Sequence, residues 1–160
     1  MKLNSARTIF YLILLVLLLP GVGLAGEIAR DGRFIVYDNG TVLDTSTNLM
    51  WAAKDNGSDI TWAKAERYCV DYRGGGYTDW RMPSTDELAG LYDKAKTQKT
   101  DCGYEIHLPG LIHLTCAWAW ASDTSDSKAA IFYFVDGYRQ WVRMFFDCPY
   151  TRALPVRNAR

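Results

Sequence analysis

The sequence predicts an α+β fold, because helical and strand periodicities occupy separate stretches of the chain and do not alternate. Short β-rich runs flank Asn39-Gly40 near the start. Two helix patterns follow, one around Trp62 to Tyr72 and one opened by Ser84-Thr85-Asp86-Glu87. The last third returns to strand-type sequence, with Ala130 to Val135 as its strongest run.

Taken in order, Arg33 to Tyr37 and Val42-Leu43 read as strands joined across Asp38-Asn39-Gly40-Thr41. Asn-Gly between β-rich runs is a strong hairpin signal, since both residues tolerate positive φ. Asp44 to Asn48 is a second polar turn, and Leu49-Met50-Trp51 resumes a strand. Thr61 is placed to cap a helix whose buried stripe is Trp62, Ala65, Cys69 and Tyr72, and Gly74-Gly75-Gly76 stops it. Ser84 and Glu87 form a capping box for a second helix with Leu88, Leu91 and Ala95 as its apolar stripe. Lys96 to Thr115 is irregular and reads as a long loop held by a staple. Ala117 to Ala121, Ala130 to Val135 and Tyr138 to Phe146 are expected strands, and Ala153 to Arg157 a short terminal one.

The first 25 residues point to export. Lys2 and Arg7 precede an apolar run from Ile9 to Leu19, Pro20-Gly21 break it, and Gly23-Leu24-Ala25 places small residues at −3 and −1 of a cut after Ala25. The competing reading is an uncleaved anchor, for which 17 residues from Ile9 to Ala25 are barely long enough. The membrane is then touched only through this segment. Residues 26–160 have the size of one domain. Without Lys2 and Arg7 that domain carries 16 basic residues against 18 acidic ones, which argues against nucleic acid as a partner. Its four cysteines, Cys69, Cys102, Cys116 and Cys148, read as two disulfides with three connectivities open.

Charge is uneven along the chain. From Lys128 to Arg160 six basic residues face only Asp136 and Asp147. Tyr138, Arg139, Trp141, Arg143 and, if the final strands pair, Arg152 are therefore the candidate ligand-binding residues. Positions 139, 141 and 143 share one strand face, and arginine beside an aromatic suits sugars or acidic polymers. The alternative is a Trp141 turned into the core beside solvated arginines. Cys102, His107, His113 and Cys116 carry zinc-type donors, but Cys-x4-His-x5-His-x2-Cys lacks the tight pairs that pre-arrange ligands, so a disulfide is the simpler reading. No metal and no cofactor is expected. Trp80, Arg81 and Glu87 are read as structural.

Several blocks are similar to a known family. Gly40 to Ala52 (GTVLDTSTNLMWA), the helix carrying Cys69, Gly75 to Leu91 (GGYTDWRMPSTDELAGL), Ala117 to Asp123 (AWAWASD) and Ala153 to Arg157 (ALPVR) resemble the Lcl C-terminal domain family, formerly a domain of unknown function. The resemblance implies a C-type-lectin-like fold and exported bacterial proteins, among them adhesins that bind sulfated glycans. It also implies a pairing of the first helix with the chain end, Cys69 with Cys148, leaving Cys102 with Cys116. The collagen-like repeat of the adhesin is missing, and so are the Glu-Pro-Asn or Gln-Pro-Asp and Trp-Asn-Asp triplets that hold calcium and sugar in calcium-dependent lectins.

The expected function is non-catalytic recognition of a glycan or an envelope protein, in the periplasm or at the cell surface. One rival is a structural or assembly subunit, with oligomeric state left open. Another is an enzyme akin to formylglycine-generating oxidases, which share a related fold but use a reduced cysteine pair that this sequence does not match.

Overall fold

The computed structural model describes residues 25–145 and 148–160, so the expected signal segment lies outside the described residues except for Ala25. Four antiparallel strands open the domain: β1 (Glu27–Asp31), β2 (Phe34–Tyr37), β3 (Thr41–Asp44) and β4 (Leu49–Ala52). Two helices follow, α1 (Trp62–Asp71) and α2 (Thr85–Leu91), separated by a 3-10 turn at Gly74–Gly76. Then come a two-residue ladder of β5 (Gln98–Lys99) and β6 (Glu105–Ile106), and three longer strands, β7 (Trp118–Ser125), β8 (Lys128–Tyr133) and β9 (Tyr138–Arg143). The chain ends on β10 (Thr151–Arg152) and β11 (Val156–Asn158). The α+β expectation holds in this order of elements.

The strands form a five-stranded sheet, β1-β2-β3-β4-β11, and a four-stranded sheet, β10-β7-β8-β9. The chain ends therefore share one sheet: β11 pairs with β4, Val156 opposite Trp51, while β1 forms the far edge. Strand β1 carries no apolar alternation and was not legible in the sequence; it is held by backbone pairing to β2. The turn between β2 and β3 uses positive φ only at Gly40, while the Asn39 side chain accepts from the Thr41 amide and hydroxyl. This is a three-residue connection with one left-handed glycine, not the two-residue turn that Asn-Gly first suggests.

The two helices lie on opposite faces of the four-stranded sheet, and the alternation of β7 and β8 explains it. Ala119, Ala121, Ala130 and Phe132 join a cluster with Leu88 and Leu91 of α2 and with Phe34, Val42 and Trp51 of the other sheet. Trp120, Ala129 and Ile131 point the other way, to Ala65 and Cys69 of α1. Helix α2 is shorter than its pattern suggested. It ends at Leu91, and Ala95 is exposed beyond it.

The stretch from Lys96 to Thr115 is less of a loop than its sequence implied. Ile106, Leu108, Ile112 and Leu114 are all fully buried in the first cluster. The Gln98 side-chain amide donates to the carbonyl of Ile112 at 3.0 Å and more weakly to those of Leu108 and Pro109. Cys102 and Cys116 close the expected staple, with Cα atoms 5.4 Å apart. The second expected bridge is not formed: Cys69 is a buried thiol, and Cys148 packs half-buried against the cluster that holds Cys69. Converting Cys102 and Cys116 together to serine should cost about 3 kcal/mol, the closure entropy of a loop of this length. Urea unfolding of the double variant checks this, and an unchanged midpoint would refute it.

The block Asp79-Trp80-Arg81-Met82-Pro83-Ser84 joins the start of α2 to the terminal strand. The Arg81 amide donates to the Val156 carbonyl at 2.9 Å, and the Val156 amide returns to Arg81 at 3.0 Å. Trp80 is buried, with Nε1 donating to the Gly74 carbonyl. Arg81 makes two parallel bonds to Glu87, 2.7 and 2.6 Å long, and Arg157 does the same with Asp79 at 2.6 and 3.0 Å. Ser84 accepts from the Glu87 amide while Glu87 accepts from the Ser84 amide, so the capping box forms as expected.

Candidate functional site

Four of the five residues singled out in the sequence lie on β9, the exposed edge of the four-stranded sheet. Register with β8 settles which way they face. Arg139 and Trp141 stand opposite Phe132 and Ala130, on the α2 side, whereas Tyr138, Gln140 and Val142 stand opposite Tyr133, Ile131 and Ala129, on the other. Trp141 is 49% exposed, so it is not turned into the core. Arg139 donates to Asp86 of α2 at 2.6 Å, across the protein surface. Arg143 ends the strand opposite Lys128.

Arg152 stands apart from these four, and its expected role needs correction. It lies on β10, which pairs in parallel with β7 at the opposite edge of the sheet, with β7 and β8 between it and β9. Its side chain is 8% exposed. The guanidinium donates to Asp59 Oδ1 and, at 2.6 Å, to Thr115 Oγ1, and sits 4.0 Å from Asp55 Oδ2. Asp55 in turn accepts from the amides of Gly57 and Thr115, both at 2.7 Å, and from the Thr115 hydroxyl. Burial raises the Asp55 carboxyl, opposed by these hydrogen bonds and by Arg152. This buried network ties the loop before α1 to the stapled segment and to β10. Arg152 is a structural cation here, not a surface one.

The concave feature of this sheet is a groove of about 610 Å³ on its α1 side, running between β9 and the segment leading into β10. Trp118, Ile131, Gln140, Val142, Arg143, Tyr150 and Thr151 are among its lining residues. Trp118 stacks on Tyr133 with ring centroids 4.1 Å apart, and Tyr104 meets Tyr133 and Tyr150 edge-on. Of these rings Trp118 and Tyr150 line the groove, and Tyr133 and Tyr104 support them; all are half-buried except the more exposed Tyr150.

Tyr150 adopts φ +67°, a left-handed conformation that is rare for an aromatic residue. Its amide donates to Asp59 Oδ1 at 2.9 Å, and its carbonyl accepts from the Trp118 amide at 3.3 Å. Both backbone groups thus hold the strained conformation in place and keep the ring at the rim of the groove. Backbone strain retained in this way is concentrated at functional sites in proteins generally. Thr151, beside it, has a buried hydroxyl without a hydrogen-bond partner. Gln140 and Arg143 supply polar donors on the β9 side.

Sequence reasoning singled out β9, and Arg143 of that strand lines the groove, whereas Trp118, Gln140, Tyr150 and Thr151 of its lining were not among the sequence candidates. The Ala117-Trp118-Ala119-Trp120-Ala121 alternation does put Trp118 and Trp120 on one face. Which of the two is buried depends on α1, which covers Trp120 and leaves Trp118 half-open. Nothing local in the sequence announces the left-handed Tyr150.

Other chemistry-bearing residues are occupied within the fold. The sulfurs of Cys102 and Cys116 form the bridge, His107 Nδ1 lies 2.9 Å from the Lys96 carbonyl, and His113 lies 3.4 Å from Asp101. Among the described residues no three His, Cys, Asp or Glu side chains are grouped to hold a metal ion. Burial, with a smaller contribution from Glu66, pushes the Cys69 thiol up to about 12, so thiolate is scarce at neutral pH.

Two carboxylates give the domain a defined acid sensitivity. Hydrogen bonds from Arg157 hold Asp79 below its usual range. Burial pushes Glu87 up, but bonds from Arg81 and the Ser84 amide outweigh it and leave Glu87 lowered. A carboxylate with a depressed folded-state pKa contributes stability above its unfolded pKa and loses it as pH falls through the folded value. Stability should therefore decline as pH drops below the usual carboxylate range. The variant Asp79→Asn/Glu87→Gln should be weaker at pH 7 and show a flatter decline; urea midpoints that run parallel to wild type across that range would refute the assignment.

The domain is thus an α+β fold braced by the Arg81–Glu87 and Arg157–Asp79 pairs, with an open groove on one face of its four-stranded sheet. The Lcl C-terminal domain model matches residues 40–157, and the chain belongs to that family. Comparison with curated proteins gives no match.

Proposed function

We propose that this chain is an exported, non-catalytic recognition module with a C-type-lectin-like fold, binding a glycan or a protein of the bacterial envelope in the groove between β9 and Tyr150. The observation that carries this reading is the pair of rings lining the groove, Trp118, braced by stacking on Tyr133, and Tyr150, held left-handed at the rim. Flat rings with polar donors beside them match the apolar faces and hydroxyl edges of sugar rings, and Arg143 favours acidic members of that class. A glycan array probed with the mature domain, with calcium and with chelator, tests the reading. Binding should survive chelation and weaken as salt rises. Trp118→Ala should lower affinity about tenfold, since a lost ring contact of about 1.4 kcal/mol changes affinity by that factor. Tyr150→Gly should do the same while leaving the fold intact, because glycine adopts the left-handed backbone without strain. An array without signal, or variants that bind like wild type, would overturn it.

A second reading has its own support. Tyr138 and Trp141 are exposed on an edge strand, the feature by which sheets join to other chains. An assembly subunit would show itself as an oligomer in native mass spectrometry that Trp141→Ala dissolves.

A further inference from the structure

We propose that the bond between Ala25 and Gly26 is the maturation site of this chain, and that Asp38 binds the ammonium group which cleavage creates on Gly26. The inference rests on the reading that the chain is exported. Gly23-Leu24-Ala25 supplies the small residues that a signal peptidase requires on the leaving side. The other side of the bond is already built to receive a new terminus. Gly26 N lies 3.0 Å from Asp38 Oδ1, and the Asp38 amide donates to the Gly26 carbonyl at 2.9 Å. Residue 26 is thus clamped by the turn between β2 and β3 through both of its backbone groups. A Cβ at position 26 would lie 3.2 Å from Asp38 Oδ2, so the missing side chain is what lets the carboxylate approach freely.

The chemistry is a hydrolysis. Water adds across the Ala25–Gly26 amide, Ala25 leaves as a carboxylate on the released segment, and Gly26 takes the proton and becomes an ammonium. Before the cut, Asp38 accepts one N–H from a neutral amide. Afterwards the same nitrogen carries a positive charge and three protons, and the contact becomes a charge-assisted hydrogen bond. The consequence falls on β1, an edge strand whose residues are mostly exposed and which has little burial to hold it. Maturation replaces a neutral tie at Gly26, just before its first residue, by an ionic latch.

The test uses the protein exported by a bacterial host. Intact mass and N-terminal sequencing locate the cut, and the α-amino group of ¹⁵N-labelled Gly26 is titrated by NMR in wild type and in Asp38→Asn. A first residue of Gly26 is expected. Its amine should titrate above the ordinary range of about 7.7–8.0 and fall back by roughly half a unit in the variant. Amide exchange in β1 should quicken about two- to fivefold in Asp38→Asn, the change expected from losing one surface ion pair. A chain that keeps Met1, or begins elsewhere, overturns the maturation site and the export reading with it. A chain that begins at Gly26 but titrates alike in both proteins overturns the latch alone.

Discussion

Trp120→Ala is expected to cost about 3–5 kcal/mol, a large share of the 5–15 kcal/mol that holds a domain of this size together. The indole is fully buried between the four-stranded sheet and α1, in one cluster with Ala65, Cys69, Ile131 and Ala153. Removing the indole takes a large buried volume out of a cluster that also holds Met82 and Ile131, and such a site relaxes only partly. A second loss adds to the first. Trp120 Nε1 donates to the Ile60 carbonyl at 2.7 Å, and that bond fixes the loop that launches α1. Trp120→Phe separates the two effects: it keeps most of the ring and removes the donor, for a cost of about 1–3 kcal/mol. Trp141→Ala is the control. The same residue type, half exposed on β9, should change stability by less than about 0.5 kcal/mol. Urea titrations of the three variants read all of this, and a Trp120→Ala midpoint close to that of Trp141→Ala would show that the second cluster is not a core.

The features that the sequence discloses are those whose cause is local. Ser84 and Glu87 are three residues apart, and their reciprocal bonds need nothing beyond one helical turn. The run Gly74-Gly75-Gly76 marks the neighbourhood of the helix end but does not cause it: α1 stops at Asp71 with Tyr72 already extended, and the glycines form a separate 3-10 turn. Cys102 and Cys116 were legible because a short span makes their meeting cheap in entropy. What stayed hidden depends on partners far along the chain. Arg152 looked like part of a basic surface, yet Asp59, 93 residues earlier, and Asp55 enclose it. Strand β1 leaves no apolar pattern because it is held by backbone pairing and by polar contacts such as Asp31 with Lys96, and Leu108 and Ile112 are core residues inside a segment that reads as irregular. The groove combines both cases. Its β9 side follows from alternation, while its far wall depends on distant partners, Asp59 capturing the amide of Tyr150 and β7 pairing with β10.

That dependence makes Arg152 the second position of large expected effect. Arg152→Ala should cost about 3–5 kcal/mol, because removing one partner of a buried ion pair leaves the other charge uncompensated. The charge left behind is Asp55, whose side chain is fully buried and whose carboxyl is already raised by burial. The amides of Gly57 and Thr115 still serve it, so the variant is weakened without being abolished. Two further measurements identify the cause. Without Arg152 the Asp55 pKa rises further, and a carboxyl with a raised folded-state pKa gains stability for the fold as pH falls toward it. The deficit of Arg152→Ala relative to wild type should therefore shrink on moving from pH 7 toward pH 5. Adding Asp55→Asn to Arg152→Ala should also recover part of the loss, because the carboxamide keeps an acceptor oxygen for the two amides and carries no charge. The recovery appears as a coupling energy in a double-mutant cycle. A deficit that is constant with pH and additive with Asp55→Asn would mean that Arg152 acts through the packing of its stem. In that case the far wall of the groove, Tyr150 and Thr151, would owe its position to Asp59, the Trp118 amide and the pairing of β10 with β7, and not to the Arg152 charge.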